Sequence, residues 1–507
     1  MKQPRLNEGV ILACDFGATS SRAALLDFEG RILRKHSATS AAPADAPDGA
    51  EIEPDAWWLA LVDAVEALSE DAAFARVRAI AVTGVTRTQI LLGRDGLALR
   101  PAMTWQDARA KQLSAEIAAA VPADHSETRA VNAFHPIARH FWLKRHEPDV
   151  LDDIMAIVEP KDYLNFRLTG QVATDPISSA RLFASALPGP SGPSLLDAIG
   201  LPASVLPQTL EPTAIVGRVT AGLPGVLASL SGLPVLTLSH DTWAAVVGLG
   251  ALRDGAAYNL SGTTEVFGVL SAKAATAEGL MSVPYGEGLH QLGGPSQNGG
   301  DTLVWALSLL SRHGGDPLAL GPELDTLLGD SRDRQPLLFL PYLKGERTPY
   351  WDPALRGAFV GLNRRHRAVD CAYAALEGVA FLNRIILERA EGALGRRVDA
   401  IHFGGGGAAN GTWCQIKADV CRRPLLVTEA LEPGLLGAAI VAWRALGAFP
   451  TLAVGQDRLV RVVLSFEPHA DATNAYDGLF ALYREAEGAL APISRALVAL
   501  RSAGLSS

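Results

Sequence analysis

Near the N-terminus the chain reads Gly9-Val-Ile-Leu-Ala-Cys-Asp15-Phe-Gly17-Ala-Thr-Ser-Ser-Arg22, and Ala23-Ala-Leu-Leu-Asp27 follows. An apolar run that ends on a carboxylate predicts a buried strand, and the small residues after it predict a tight turn. A second apolar run comes next, and a third follows another turn at residues 28–33. The order strand, turn, strand, turn, strand is typical of an antiparallel hairpin series.

The same pattern returns near the midpoint of the 507-residue chain. Residues 254–260 form a short strand-like run, Ser261-Gly-Thr-Thr264 a turn, and residues 265–270 a second apolar run. We interpret this as a weak internal repeat of two similar domains that meet near residues 245–253, although any two hairpins look alike at this level. Two domains also suit the length, since single cores rarely exceed about 250–300 residues.

Helical and strand patterns alternate around these hairpins, which predicts an α/β class. We divide the chain into an N-terminal domain at residues 1–250 and a C-terminal domain at residues 251–450. The remaining residues, 451–507, are expected to form a helical extension, because most of them carry an amphipathic helical pattern.

The composition excludes several classes of protein. There are 45 Lys and Arg against 54 Asp and Glu, and a net charge of −9 argues against a general nucleic-acid binder. No apolar run reaches the ~18–20 residues of a membrane helix, and no signal-like core precedes the first strand. The four cysteines form no CxxC pair and show no zinc spacing. We therefore expect a reduced, cytoplasmic protein.

Two turns have the composition of phosphate-binding turns. The first follows Asp15 and ends at Arg22, and the second is Ser261–Thr264. Small residues let backbone N–H groups and hydroxyls approach phosphate oxygens, while a carboxylate can hold Mg²⁺ through water. Ordinary hairpin turns remain the alternative interpretation of both. The chain has no P-loop signature, so a P-loop fold is not supported.

A third turn, Gly404-Gly-Gly-Gly-Ala-Ala-Asn410, lies between a predicted strand and a predicted helix. Glycine loses more conformational entropy on ordering than any other residue, so we do not expect packing to favour four in a row. Close approach of a ligand to the backbone would explain them. A flexible linker is the alternative, which the flanking strand and helix disfavour.

Asp241 lies in the sequence Ser239-His-Asp-Thr242, between an apolar strand and a helical pattern. Ligands of open α/β sheets usually bind at the carboxyl ends of strands, so Asp241 could accept a proton from a substrate hydroxyl. Asp is also favoured as a helix N-cap, and this motif alone does not separate the two roles. We expect His240 to pack or to orient its neighbours rather than to act as a base.

Several ordered motifs together resemble one family. They are Asp15-Phe-Gly17 with Thr19 and Arg22, Trp105-Gln-Asp107-Ala-Arg109, Pro160-Lys-Asp-Tyr163, Leu168-Thr-Gly170, Ala173-Thr-Asp175, His240-Asp241, Gly262-Thr263, Gly345-Glu-Arg-Thr-Pro349 and Gly404–Asn410. Over about residues 9–450 the chain resembles the FGGY carbohydrate kinases. Residues 339–349 with Trp351-Asp-Pro look most like the xylulokinase branch.

The resemblance implies two ribonuclease-H-like domains of the actin/hexokinase ATPase type, which flank a catalytic cleft. It also implies transfer of the γ-phosphoryl group of ATP to a sugar hydroxyl, with Asp241 as the base and with Mg²⁺ held by Asp15 and Asp241. The nucleotide-binding residues that it implies are Asp15, Gly17, Thr19, Ser20, Arg22, Gly262, Thr263, Thr264, Gly300, Gly404, Gly405, Gly406 and Asn410. The sugar-binding residues are Arg87, Thr88, Trp105, Asp107, Phe134, His240, Asp241 and Thr242.

The chain departs from the family pattern where the sugar should bind. Xylulokinases commonly carry Gly-Gln-Met-His-Gly where this chain has Gly84-Val-Thr-Arg87-Thr, so a permanent cation replaces a histidine. Arg139 stands where the family signature has lysine, and Ser239–Thr242 looks like the fuculokinase and rhamnulokinase branches. The sugar pocket therefore differs from that of typical xylulokinases.

The leading substrate is a ketopentose such as D-xylulose, with L-xylulose, L-fuculose or L-rhamnulose types and a tetrulose as alternatives. Arg87 also allows a sugar acid, because a guanidinium matches a carboxylate, unless Arg87 pairs with Asp107 or Glu159 instead. A non-catalytic, actin-like ATP-binding sensor is the alternative from another class of protein. We expect no nucleic-acid or membrane partner, and a homodimer stays open.

Overall fold

The computed structural model describes residues 6–18, 20–39, 44–46, 49–128, 131–310, 324, 326–330, 332 and 335–502. The chain forms two compact units. The first contains Met1–Gly248 and Gly434–Leu459, and the second contains Leu249–Pro433 and Val460–Ser507.

The first unit is built on a six-stranded sheet with the order β5-β6-β4-β1-β2-β3. Its strands are β1 (Val10–Phe16), β2 (Ser20–Leu26), β3 (Ile32–Thr39), β4 (Val77–Gly84), β5 (Ile215–Arg218) and β6 (Pro234–Leu236). Strands β1, β2 and β3 pair antiparallel in sequence order, which confirms the predicted hairpin series. Strands β1, β4 and β6 are parallel, so their carboxyl ends lie at one edge of the sheet.

The second unit is built on a seven-stranded sheet with the order β9-β10-β8-β7-β11-β12-β13. Its strands are β7 (Ala257–Ser261), β8 (Glu265–Ser271), β9 (Met281–Pro284), β10 (His290–Pro295), β11 (Ile401–Gly404), β12 (Leu425–Thr428) and β13 (Val462–Phe466). Strand β7 pairs antiparallel with β8 and parallel with β11, as β1 does with β2 and β4. This shared topology confirms the internal repeat.

Apolar residues at helical spacing explain how the helices cover these sheets. In the helix Pro54–Ser69, Trp57, Leu61, Val65 and Leu68 are buried in one cluster with strand residues of the first sheet. The main helices are α1 (Pro54–Ser69), α2 (Pro160–Thr169), α3 (Asp241–Gly248), α4 (Gly300–Leu310), α5 (Ala368–Leu394), α6 (Gly411–Cys421), α7 (Pro433–Ala445) and α8 (Ala470–Ser502).

Shorter elements complete the two units. Other α-helices within the described ranges include Ser114–Ala120, Pro136–His146, Pro148–Asp152, Ala180–Ala186, Leu195–Ile199 and Leu452–Leu459. Short strands occur at Ala44–Ala46, Gly49–Ile52, Ile90–Gly93, Ala102–Met103, Ile154–Val158, Ala173–Thr174, Gln208–Thr209, Leu338–Leu340 and Ala358–Val360. Within the described ranges, no helix is long and apolar enough to cross a bilayer.

The units differ from the division made by sequence in the last part of the chain. Helix α7 belongs to the first unit, because Trp443 is fully buried and lies 5.2 Å from the Phe28 ring, measured between ring centroids. Helix α8 belongs to the second unit, where Phe480 and Tyr483 are buried in the same cluster as residues of α5. The final helix is therefore part of a core and not a separate extension.

Candidate functional site

Turns that follow the parallel strands of the first sheet contact one another at its carboxyl edge. The Val85 backbone N–H donates to the carbonyl oxygen of Phe16 at 2.9 Å, which joins the end of β4 to the end of β1. The Thr83 hydroxyl donates to the carbonyl oxygen of Ser239 at 2.7 Å, which joins β4 to the turn after β6. Asp15 lies at the end of β1, and Asp241 follows the turn after β6. These two carboxylates therefore lie on either side of the turn after β4, which carries Arg87.

Asp15 lies at the end of β1, directly opposite Arg22 on β2. Its side chain is 17% exposed, and the Arg22 Nη1 atom lies 3.9 Å from its Oδ2 atom. A Cβ atom on Gly434, at the start of α7, would lie 3.2 Å from the same Oδ2 atom. The amino end of α7 thus lies beside a carboxylate, an arrangement that the helix dipole favours. Gly434 is not among the predicted site residues, although Pro433-Gly434 before an apolar run is a signal for a helix start.

The first turn is held from within the first unit. The Gly17 N–H donates to the carbonyl oxygen of Ser20 at 2.9 Å, and the Trp57 indole donates to the Gly17 carbonyl oxygen at 3.1 Å. Gly17 and Ser20 are both half-buried, whereas Thr19 lies outside the described residues. The turn is therefore tight and fixed to α1.

Asp241 is the first residue of α3, and its neighbour supplies the helix cap. The Trp243 N–H donates to Nδ1 of His240 at 3.2 Å, so the His240 side chain satisfies this amide of the first turn and His240 acts as the N-cap. The Asp241 Oδ1 atom accepts from the Thr242 N–H at 2.6 Å. The Asp241 side chain is 36% exposed, and none of the described residues donates a hydrogen bond to its Oδ2 atom.

The predicted sugar-side residues fall into two groups. Thr88 and Asp107 are fully buried, and the Asp107 carboxylate accepts from Nη2 of Arg109 at 2.7 Å. Trp105 is half-buried and Phe134 is 37% exposed. Asp107 is thus bound within the protein, whereas the two aromatic residues reach the surface.

Arg139 connects the segments that carry these residues. Its guanidinium is fully buried and donates to the carbonyl oxygens of Arg87 at 2.5 Å, Thr104 at 2.9 Å and Phe134 at 3.3 Å. Burial lowers the pKa of Arg139 to about 10, although the carboxylates of Asp107 and Glu159 act in the opposite direction. Arg139 departs from the family signature in sequence, but its contacts with these carbonyl groups could not be predicted from that difference.

In the second unit, the turn between β7 and β8 lies against the start of α4. Gly262 and Thr263 are exposed at its tip. The Gly300 N–H donates to the Gly262 carbonyl oxygen at 2.9 Å, and the Asp301 N–H donates to that of Thr263 at 3.1 Å. A Cβ atom on Gly300 would lie 2.6 Å from the Gly262 oxygen, so only glycine fits this close approach. Thr264 is half-buried beneath the tip.

The glycine run after β11 packs against the same turn. Gly405 has a φ of +89°, and a Cβ atom there would lie 2.3 Å from the Ser261 carbonyl oxygen. A Cβ atom on Gly407 would lie 2.6 Å from the Trp413 ring. The expectation that packing does not favour these glycines is wrong at both positions, because the protein's own atoms leave no room for a side chain.

The other members of the run differ from each other. A Cβ atom on Gly404 would lie 2.7 Å from the Leu249 side chain, whereas one on Gly406 would have no atom within 4 Å. Asn410 caps α6, since its side-chain oxygen accepts from the Trp413 N–H at 2.8 Å. Gly406 is therefore the member of the run at which a side chain or a ligand could be accommodated.

The acidic residues suit a metal that is shared with a ligand. Among residues that the structure describes, no group of three or more His, Cys, Asp or Glu side chains is arranged to hold a metal ion. Asp15 and Asp241 each offer a partly exposed carboxylate. Mg²⁺ is often held by one or two carboxylates together with waters and substrate phosphates, so this donor set fits Mg²⁺ bound with a nucleotide.

A cavity of about 480 Å³ lies elsewhere, in the second unit. Residues of the 340–356 segment and of α8 line it, including Tyr350 and Glu487. The Tyr350 hydroxyl donates to the Glu487 carboxylate at 2.9 Å. None of the residues that we predicted for the site lines this cavity.

Comparisons with known proteins identify the relatives of the chain. It is 28% identical over 448 residues to the xylulose kinase of Escherichia coli (strain K12). This match covers 85% of this chain and 89% of the relative. It is 24% identical over 488 residues to the gluconokinase of Bacillus licheniformis, with 93% and 94% covered. The crystal structure of the xylulose kinase from Rhodospirillum rubrum matches with a TM-score of 0.81 at 26% identity, and covers 96% of this chain and 99% of that one.

These structural likenesses confirm the predicted α/β fold of two actin/hexokinase-type domains. The N-terminal domain of the FGGY family of carbohydrate kinases matches residues 10–248. The C-terminal domain of the same family matches residues 257–446. The chain belongs to the FGGY family of carbohydrate kinases.

Proposed function

We propose that the protein transfers the γ-phosphoryl group of ATP to a hydroxyl of a ketopentose, with D-xylulose as the leading candidate. Two of its relatives, from Escherichia coli and Rhodospirillum rubrum, are named xylulose kinases. The single observation that supports the chemistry best is the setting of Asp241. His240 supplies the helix cap, which leaves Asp241 with an accessible carboxylate at the carboxyl edge of the sheet.

Asp241 acts as the general base in this proposal. Its carboxylate accepts the proton of the sugar hydroxyl while the hydroxyl oxygen forms a bond to the γ-phosphorus. The bond from that phosphorus to the β-phosphate bridging oxygen breaks, and ADP leaves. Thr242 orients the base through its N–H, 2.6 Å from Oδ1.

In this proposal, the second unit contributes groups that bind phosphate and adenosine. The exposed tip at Gly262 and Thr263, and the open space at Gly406, would accept phosphate and adenosine groups. Asp15, with Asp241, would hold Mg²⁺, which neutralises charge on the phosphates when it is bound. Arg22 would contact the transferred group.

A sugar acid is the second candidate substrate. The chain is similar to a gluconokinase, and Arg87 supplies a cation where xylulokinases commonly have histidine. The Asp107 carboxylate is bound by Arg109, and the Glu159 carboxylate is bound by the backbone of Arg87. A guanidinium matches a carboxylate in a bidentate pair, so Arg87 suits a sugar acid better than a histidine would.

We test this proposal by measuring ADP formation with a panel of ketoses, polyols and aldonates. Asp241→Asn should reduce sugar-dependent turnover at least ~10³-fold, because an amide cannot take up the proton. It should leave ATP affinity within twofold, because Asp15 and the amide oxygen still offer ligands to Mg²⁺. Asp71→Asn is the matched control, since this carboxylate caps a short helix away from the site and should leave turnover unchanged. Wild-type turnover in Asp241→Asn, or no stimulation by any member of the panel, would contradict the proposal.

We further propose a cytoplasmic location, which the free cysteines support: Cys14, Cys414 and Cys421 are buried, Cys371 is half-buried, and none forms a disulfide in the described chain. A homodimer is the assembly to test first. Light scattering on the purified chain measures it, and a mass near 53.4 kDa would contradict the dimer.

A further inference from the structure

Two residues on the site turns have left-handed backbones although they are not glycines. Arg87 has a φ of +55°, and Leu238, three residues before Asp241, has a φ of +52°. Such conformations are costly for residues with a Cβ atom and persist only where surrounding contacts enforce them. One short segment, Glu159–Asp162 at the start of α2, reaches both turns.

Two buried ionisable side chains bind both backbone groups of Arg87. Its N–H donates to the two carboxylate oxygens of Glu159, at 3.0 and 3.1 Å. Its carbonyl oxygen accepts from Nη1 of Arg139 at 2.5 Å. Because Glu159 and Arg139 are themselves buried, this residue is held on both sides in its left-handed conformation.

A second set of contacts holds the turn before Asp241. The Ser239 hydroxyl donates to Oδ1 of Asp175 at 2.8 Å, and Oδ2 of Asp175 lies 2.9 Å from Nζ of Lys161. The same ammonium lies 3.4 Å from the Thr237 carbonyl oxygen. The two neighbours of Leu238, Thr237 and Ser239, are therefore each contacted by a buried charged side chain.

Asp162 joins the two sets. Its Oδ1 atom accepts from Lys161 at 2.5 Å, and its Oδ2 atom accepts from the Glu159 N–H at 3.3 Å. Burial would raise the pKa of Asp175, but the Lys161 ammonium and hydrogen bonds from Ser178 outweigh it and lower that pKa. The Lys161–Asp175 pair is thus charged at neutral pH, and the contacts run without a break from Arg87 to Ser239.

We propose that Glu159, Lys161, Asp162 and Asp175 form a buried clamp that positions the Arg87 turn and the Asp241 turn together. These four are positioning residues, since they are buried and act through the two turns. The proposal rests on the proposed roles of Arg87 toward the sugar and of Asp241 as the base. It assigns a purpose to the buried ionisable side chains at the start of α2, which the phosphoryl transfer itself does not use.

Two variants test the two ends of the clamp separately. Ser239→Ala removes one hydroxyl and should lower kcat about tenfold, with the KM for sugar held within twofold. Glu159→Met keeps the side-chain length and removes both acceptors, so it should raise the KM for sugar about tenfold with kcat within threefold. Glu391→Met is the matched control, because Glu391 also binds a backbone N–H and an arginine but lies in the second unit.

Hydrogen exchange provides a readout that does not depend on turnover. We expect faster exchange at residues 237–242 in Ser239→Ala and at residues 84–89 in Glu159→Met, and unchanged exchange at both in Glu391→Met. If neither turn exchanges faster than in the wild-type chain, the clamp is rejected. It is also rejected if each variant changes kcat and the KM for sugar by the same factor. If the wild-type chain shows no sugar-dependent turnover, the proposed function fails, while the exchange measurement still decides on the clamp.

Discussion

At the scale of single residues, the glycine run after β11 contains two neighbours with opposite requirements. Gly405 has a positive φ and approaches the Ser261 carbonyl, whereas Gly406 has no atom within 4 Å of where a Cβ would lie. One glycine is thus required by the fold, and its neighbour leaves space that a nucleotide could occupy. A matched pair of alanine variants separates these roles.

We expect Gly405→Ala to lower the free energy of unfolding by about 2 kcal/mol or more, because the new methyl group meets backbone atoms at a strained φ. Gly406→Ala should keep the wild-type unfolding midpoint but raise the KM for ATP severalfold. Chemical denaturation and ADP-formation kinetics on the two purified variants measure both effects. Unchanged ATP kinetics in Gly406→Ala would remove this position from the nucleotide site.

At the scale of elements, local patterns were predicted well and long-range packing was not. The hairpins could be predicted because alternating turns and apolar runs are local properties of the chain. The placement of α7 could not, since its apolar residues indicate a buried helix but not which sheet it covers. The sequence also could not decide whether Asp241 caps α3, because Asp and His side chains can both accept from helix amides. The hydrogen bond from the Trp243 N–H to Nδ1 of His240 identifies His240 as the cap.

Glu159, the residue before α2, makes the free energy of unfolding depend on pH. Burial, with the nearby Asp162 carboxylate, raises the pKa of Glu159 to about 8, from an ordinary value of about 4.5. Between these values the folded chain keeps a proton that the unfolded chain has lost, so this group's contribution to stability is present at low pH and is lost as the pH rises through about 8.

Glu159→Gln mimics the protonated side chain at every pH. We therefore expect it to unfold at the same temperature as wild type at pH 5 and at a higher temperature at pH 9. Glu346 in the second unit, whose pKa burial raises to about 7, titrates in the same direction but is common to both proteins and cancels in the difference. Thermal unfolding of the two proteins at both pH values checks this, and parallel shifts would contradict the assignment.

At the scale of the whole molecule, one topology occurs twice but its two copies present different chemistry. The carboxyl edge of the first sheet carries Asp15, Arg87 and Asp241, whereas the corresponding turn of the second sheet is Ser261–Thr264, with glycines packed against it. This difference supports the proposal that the first unit supplies the base and the metal-binding carboxylate and that the second supplies phosphate and adenosine contacts. The sequence predicted the repeat and these turns, but not that residues 434–459 complete the first unit.

The substrate class can be read from the stability of the intact chain, because a ligand at 100 times its dissociation constant stabilises the folded protein by about 2.7 kcal/mol. We expect D-xylulose to raise the unfolding temperature and D-gluconate to leave it unchanged. Arg87→Met reports on the second candidate, since a guanidinium that binds a carboxylate contributes to the affinity of an acid far more than to that of a neutral ketose. A shift with D-gluconate that disappears in Arg87→Met, while D-xylulose gives none in either protein, would replace the ketopentose with a sugar acid and would make Arg87 the residue that selects it.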